Sequence, residues 1–390
     1  MPAFLERYRF PLALGLAVLL GLAWMVGYAG PILAVLLIPL VLVQKTAFRR
    51  YAVAVAYYLA GSHGIPLASA VFFGPGGHYM EGIALWVTSS DLLAAGWSFA
   101  DKPWKAALVL IFDAIVPPLS FFDWMSPLSA SGVFFPGTAI LGVLLLLIIV
   151  AGFPVFLRKN PNSLAYFALF AVACNVFSPV FLNSKAPADW VGLNTHMGPS
   201  TQSIMKNYQR MTEWTAQAAR QKGRVILLPE TMLTWWQGNA DYVQTQVPKG
   251  HTWLVGASIP LKKYWFADGI EEVRQGYKPK MIFASLLPVP VSMWRPWETP
   301  TGDAFGQMNY KAFWWQKPVE IDGESTWAEI CYDQLLPFTW LEASIYQPQV
   351  ILATNNVWWA RNTGIPQVQR ASVWAWSRLS GSAVLEAENG

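Results

Sequence analysis

The sequence predicts an α-helical multi-span membrane domain over residues 1–183 followed by a soluble α/β domain over residues 184–390. Three observations carry this prediction. Only 15 of the 50 Lys, Arg, Asp and Glu residues fall in the first 183, so the two halves differ sharply in charge. Seven apolar runs crowd that first part. In the second part an amphipathic helical stretch alternates with short buried runs of strand length. The chain as a whole is 54% hydrophobic and 13% charged, where a soluble domain carries roughly a quarter charged residues.

The apolar runs lie at 10–28, 30–44, 51–73, 81–99, 104–123, 138–157 and 164–182, against the roughly 17–25 residues that a bilayer requires. The second is short, and Gly61-Ser62-His63-Gly64 interrupts the third. Residues 10–28 could pass for a signal peptide, but no small-residue cleavage site precedes the next run. Basic residues set the orientation. Arg7 and Arg9 precede the first run. Lys45, Arg49 and Arg50 follow the second, Lys102 and Lys105 the fourth, and Arg158 and Lys159 the sixth. With seven spans all four clusters share one face, so the N-terminus is expected in the cytoplasm. The expected location is a bacterial inner membrane, crossed in multiple passes, with residues from about 184 onward in the periplasm.

Asp91 and Asp113 fall inside apolar runs, where a charge is expensive. Each either lines a polar path or packs helices as a partnered or neutral acid. His63 and His78 lie in Gly-rich connections without metal-ligand spacing, and no metal or cofactor is expected. The net charge of +4 gives no nucleic-acid signal. Cys174 and Cys331 are too few for a disulfide framework, and Cys331 needs its own explanation.

In the second half, residues 201–222 place Ile204, Tyr208, Met211, Trp214, Thr215 and Ala218 at helical spacing, with Gly223 set to end the helix. Residues 224–228, 254–259, 281–287, 328–331 and 350–354 read as short buried strands. Such alternation predicts an α/β sandwich. Three points at or near strand ends stand out: Glu230 in Leu228-Pro229-Glu230-Thr231, Lys311 in Asn309-Tyr310-Lys311, and Cys331 in Glu329-Ile330-Cys331-Tyr332-Asp333. Singly, each has an ordinary explanation: a cap, a solvated lysine, a core thiol.

Taken in order, the three resemble the Glu–Lys–Cys triad of the nitrilase (carbon–nitrogen hydrolase) superfamily. Val191-Gly192-Leu193-Asn194 resembles that family's opening strand. Asn355-Asn356-Val357-Trp358, Gly364-Ile365-Pro366-Gln367, Arg370-Ala371 and Arg378 resemble its segments after the cysteine. The resemblance covers about residues 189–390 and implies an αββα sandwich. With a membrane unit in front, the chain resembles the apolipoprotein N-acyltransferase branch, and more closely the TraB-type proteins of conjugal transfer. It departs from the acyltransferases in three places. Val319 stands where they have a second glutamate eight residues after the lysine, with Glu320, Asp322 and Glu324 nearest. Asp333 replaces a glutamate two residues after the cysteine, and the chain stops before the family's final strands and closing transmembrane helix.

The implied chemistry is acyl transfer or amide hydrolysis through a thioester on Cys331. A thiol is mostly protonated at neutral pH and needs a base or a cation beside it. Glu230 is the expected base and Lys311 the expected oxyanion partner, with Tyr332 supplying a backbone N–H and Asp333 beside it. Trp235-Trp236 follow Glu230, Trp314-Trp315 follow Lys311, and Trp358-Trp359 follow the Asn355-Asn356 pair. They form either a membrane-facing mouth that admits an acyl chain or ordinary sandwich core. The expected partners are a membrane lipid or a lipidated or peptide acyl acceptor, together with proteins of a conjugation apparatus. A second reading keeps the fold and discards the chemistry, making the domain a non-catalytic docking component of such an apparatus. A transporter reading rests only on Asp91 and Asp113 and lacks an internal repeat.

Overall fold

A computed structural model describes residues 3–74, 77–160, 162–180, 182, 185–201, 203–299 and 309–390. Of the sequence expectations, the boundary at 183–184, part of the 164–182 run and the side chains of Arg7 and Arg158 lie outside the described residues. The chain forms two compact units. One comprises residues 1–182, 335–347 and 360–381, and the other residues 183–334, 348–359 and 382–390.

The first unit is helical. Its elements are α1 (Ala3–Leu22), α2 (Ala29–Leu33), α3 (Leu37–Leu42), α4 (Ala47–Gly61), α5 (Ile65–Phe72), α6 (Tyr79–Trp97), α7 (Pro103–Ile115), α8 (Ala130–Phe134), α9 (Ile140–Lys159) and α10 (Ser163–Phe177). Among the described residues only Tyr8–Met25 and Ser163–Val180 are long and apolar enough to cross a bilayer, with Ala29–Leu42 and Ile140–Gly152 apolar but shorter. That is fewer than the seven crossings expected. Local interruptions shorten two of the expected runs. Ser62 to Gly64 divide the third run into α4 and α5, and the fifth ends as helix at Ile115, before Pro117-Pro118, which cannot extend it. Leu12, Leu16 and Leu19 of α1 and Leu164, Leu169 and Val172 of α10 are exposed. Arg50, of the second basic cluster, is buried and donates to the carbonyls of Gln44 and Ser98.

Among the described residues the second unit holds α11 (Ile204–Ala219), α12 (Ala240–Gln246) and ten strands: β1 (Trp190–Gly192), β2 (Val225–Leu227), β3 (Thr252–Pro260), β4 (Trp265–Arg274), β5 (Lys280–Ala284), β6 (Asn309–Tyr310), β7 (Val319–Ile321), β8 (Glu324–Ile330), β9 (Val350–Asn356) and β10 (Ala383–Asn389). One sheet runs β1-β2-β3-β4-β5, with β6 also on β4, and the other runs β10-β9-β8-β7. Within the first, β1, β2 and β3 are parallel, and β4 and β5 continue antiparallel. In the second, β8, β9 and β10 are parallel and β7 is an antiparallel edge.

The all-apolar strands predicted from sequence are those buried on both faces. Val225, Leu227, Leu254, Ile270 and Phe283 of the first sheet pack against Ile330, Val350, Leu352 and Leu385 of the second. On its other face the first sheet carries Ile226, Trp253 and Val255 against Met211, Trp214 and Ala218 of α11 and Val243 of α12. Ser203 caps α11 by accepting from the Lys206 N–H. The helix closes at Ala219, short of Gly223. That glycine serves a close approach instead, since a Cβ there would sit 2.7 Å from Val191 Cγ2 and 3.0 Å from the Asp189 carbonyl.

Layers within this unit are therefore helix, sheet, sheet. The two helices that follow β8 and β9 in sequence, α13 (Pro337–Tyr346) and α14 (Ile365–Ser380), belong to the helical unit. Within that unit α14 packs on α8, where Gly132 admits it: a Cβ would lie 1.8 Å from the Ala375 carbonyl oxygen.

Candidate active site

Three strand ends build the site. Glu230 leaves β2 through Pro229 and is 4% exposed. The segment passes directly over β3, where Gly256 leaves room; a Cβ there would lie 2.1 Å from the Pro229 carbonyl oxygen and 2.7 Å from Glu230 Cα. Thr231 then turns through φ +48°, and the chain re-pairs with β3 as the Ser258 N–H donates to the Leu233 carbonyl at 2.9 Å.

Cys331 follows the last residue of β8, is 6% exposed and has φ +48°. That left-handed backbone is costly for a residue with a side chain, and such residues persist only where their surroundings hold them. Here the holding is dense. Gln334, one turn on, donates to the carbonyls of Glu329 and Thr354 at 3.1 and 3.2 Å. The Asn355 amide reaches Gln334 Oε1 at 3.4 Å.

The third strand end is that of β9. Thr354 Oγ1 donates to the Leu228 carbonyl at 3.0 Å, and Asn356 Nδ2 donates to the Glu230 carbonyl at 3.2 Å. The Asn356 amide is itself gripped, since its Oδ1 accepts from Asn389 Nδ2 at 2.9 Å. The paired asparagines thus tie the end of β2 to the end of β8.

Glu230 and Cys331 meet in a hydrogen bond from thiol to carboxylate. The backbone N–H of Asn356 supports both groups. Burial pushes the Glu230 carboxyl up to about 7, partly offset by the hydrogen bonds from Cys331, Asp268 and Asn356. The Cys331 thiol is driven well above its ordinary range, first by burial and then by the neighbouring acids Glu230 and Asp268. At rest the nucleophile candidate is therefore a thiol that hands its proton to a neighbouring carboxylate, rather than a preformed thiolate. One oxygen of Glu230, Oε2, is buried without a hydrogen-bond partner.

Asp268, on β4, is the residue the sequence reading missed. It is 2% exposed, hydrogen-bonds Glu230, and accepts from Thr231 Oγ1 at 3.2 Å. Burial and the adjacent Glu230 hold its carboxyl well above the usual carboxylate range. Its signal was present but inverted, because an acid in the run Trp265-Phe266-Ala267-Asp268-Gly269 reads as loop.

Lys311 stands apart from the pair. It is exposed, its ammonium lies 5.6 Å from the Phe313 ring centroid, and its backbone N–H donates to the Phe266 carbonyl at 2.8 Å. Side chains alternate along an extended strand, and the inward position belongs to Tyr310, whose hydroxyl pairs with Ser258 Oγ at 2.6 Å. Burial first, and then the neighbouring Asp268, push that phenol up.

Asp333 is completely buried and accepts from the N–H groups of Leu286 and Leu287 at 3.0 and 2.9 Å and from Ser285 Oγ at 3.1 Å. It holds the turn after β5, and burial raises its carboxyl to about 7. Tyr332 is buried. The tryptophan pairs divide. Trp236 is core and Trp235 is 44% exposed with its ring 5.7 Å from that of Phe266. Trp314 and Trp315 are exposed, and Trp358 and Trp359 are half-buried, the latter donating to the Asn356 carbonyl at 2.8 Å. Trp235 lines a cleft of about 230 Å³ with Ile204, Tyr208, Arg210, Met232 and Leu233.

No family model matches this chain. It is similar along most of its length to "Conjugal transfer protein TraB" of Agrobacterium fabrum, at 26% identity over 98% of this chain and 94% of that protein. It is likewise similar to "Probable conjugal transfer protein TraB" of Sinorhizobium fredii, at 29% identity over 90% of this chain and 91% of that one. Among solved structures, a glutamine-dependent NAD+ synthetase from Acinetobacter baumannii aligns over 43% of this chain and 31% of its own, with a TM-score of 0.29 and 16% identity. An amidase from Nesterenkonia sp. aligns over 43% and 63%, with a TM-score of 0.28 and 12% identity.

Proposed function

We propose that this chain is a membrane-embedded acyltransferase or amidase of carbon–nitrogen hydrolase type, working through a thioester on Cys331 in conjugal transfer. The observation that carries the reading is the buried Cys331–Glu230 hydrogen bond at a cysteine in left-handed backbone. A structural cysteine has no need of either feature. In the first half-reaction the thiol proton passes to the Glu230 carboxylate as sulfur bonds the acyl carbon. The tetrahedral intermediate collapses when Glu230 returns the proton to the leaving amine or alkoxide, giving the thioester. In the second, Glu230 deprotonates the incoming amine or water, and sulfur leaves as the thiol once the proton returns.

The two TraB relatives supply the conjugation context. The multi-span topology, cytoplasmic N-terminus and periplasmic site belong to the same proposal and rest on the four basic clusters. Acyl donor and acceptor are expected to be a lipid and a lipidated or peptide amine, because the exposed Trp235, Trp314 and Trp315 suit a membrane–water boundary. The exposed Lys311 favours the competing docking-module reading, since the pair then lacks the cation expected of it.

Intact-mass analysis decides between them. Purified protein is expected to carry an acyl adduct on Cys331, and Cys331→Ala to lose both the adduct and conjugal activity while still inserting. A Cys331→Ala chain with full activity would leave only the docking module. Topology has its own test: an alkaline phosphatase fusion after Ala186 is expected to be active and one at Lys159 inactive. The reverse pattern would remove the periplasmic placement.

A further inference from the structure

The setting of Glu230 is unusual, because a second buried acid, Asp268, stands beside it. Asp268 and Glu230 are hydrogen-bonded, and two carboxyl groups can share such a bond only if one proton lies between them. The donors decide where it rests. Glu230 receives the Cys331 thiol and the Asn356 N–H, both of which favour negative charge on that group. Asp268 receives the Thr231 hydroxyl at 3.2 Å. Thr231 reaches it because the backbone turns through φ +48° immediately after Glu230. Charge therefore settles on Glu230 and the proton on Asp268.

We propose that Asp268 is the positioning residue of this site, a neutral carboxylic acid that donates its proton in a hydrogen bond to Glu230 and so keeps that base ionised and aimed at Cys331. The inference rests on the reading of Glu230 as the base. It gives the site a means of ionising Glu230 without a lysine. Asp268 keeps its proton throughout the cycle; the mobile proton is the one that passes from Cys331 to Glu230 and back.

The test needs no knowledge of the natural substrate. In full-length protein with Cys174 replaced by Ala, Cys331 is the remaining thiol, and iodoacetamide reports its reactivity. Sulfur bonds the acetamide carbon, iodide leaves, and Glu230 takes the thiol proton. The rate is expected to inflect near pH 7, where Glu230 ionises. Asp268→Leu keeps the volume and removes the donor, which should raise the inflection by about one to two pH units. Asp268→Asn retains an N–H donor and should restore it to within about half a unit of the parent value.

A purely structural role would lower rates without moving the inflection. An unmoved inflection in Asp268→Leu, or an Asn variant displaced as far as Leu, would overturn the proposal. Should Leu fail to fold, Asp268→Ala takes its place with the same expectation, and the Asn outcome stands by itself. Glu230→Gln separates the two levels. If it leaves the parent profile intact, the base assignment itself fails, whatever Asp268 does.

Discussion

Both units of this protein bury a pair of acids, and the two pairs are treated differently. In the helical unit Asp113, 2% exposed, has no hydrogen-bond partner on either carboxyl oxygen, and Asp123, 1% exposed, lies beside Ser126. Their surroundings are Tyr57 and Tyr58, whose hydroxyls are already linked to Trp24, Met125 and Trp97. In the sandwich unit Glu230 and Asp268 are as deeply buried, but a thiol, a hydroxyl and a backbone N–H converge on them. Burial alone suppresses the charge of a carboxyl. Burial with donors makes one carboxylate usable as a base, and a nucleophile within reach gives the base something to act on. Asp91 is a third case: Tyr51 donates to its Oδ1 at 2.9 Å, so it is a partnered acid between helices.

The largest expected effect breaks this comparison at its stronger end. Glu230→Gln removes the proton acceptor of Cys331 and should slow both catalysis and alkylation by about 10²–10⁴-fold, the range of one general base. Asp113→Asn, equally buried and nearly isosteric, should change alkylation less than twofold. Comparable losses in the two variants would mean that buried acids in both units act only through folding.

A middle effect concerns stability. Asp333→Ala strands the N–H groups of Leu286 and Leu287, which are buried and donate to Asp333 in the native protein. Leaving each such donor unpaired costs about 1–3 kcal/mol, so a loss of about 3 kcal/mol or more is expected in thermal or denaturant unfolding. Asp333→Asn keeps one acceptor oxygen and should recover part of that loss. An Ala variant as stable as the parent would show that the turn after β5 rebuilds its own hydrogen bonds.

What the sequence made legible follows the same division. Glu230 and Cys331 were readable because each follows a short buried strand, and strand ends in α/β folds are where polar groups emerge. Asp268 was hidden by the converse logic. Asp268 and Glu271 are buried within β4, so the alternation that marks a strand is broken by the residue that matters most. In the first half hydropathy counts apolar residues and does not see where Ser62 and Pro117 interrupt a helix. Likewise α14 looks soluble by composition, yet the small Ala371 and Ala375 and the facing Gly132 let it pack among the helices of the first unit.

The smallest expected effect is at Lys311. A triad lysine within reach of a buried thiolate and oxyanion would act in low dielectric, where the loss of one charge-stabilising partner costs about 3–4 kcal/mol of barrier. Here the ammonium is exposed and lies over Phe313, so water and salt screen it from the pair. Tyr310 occupies the inward position beside Ser258. Lys311→Ala should therefore alter Cys331 alkylation by less than about threefold, against a loss of about 10²-fold or more if the side chain swings inward during reaction. Added salt separates these cases further. It should leave the rate nearly unchanged in both parent and variant if Asp268 supplies the needed donor, since a buried hydrogen bond is screened little. A large Lys311→Ala loss would restore the lysine to the site and make Asp268 its helper rather than its replacement.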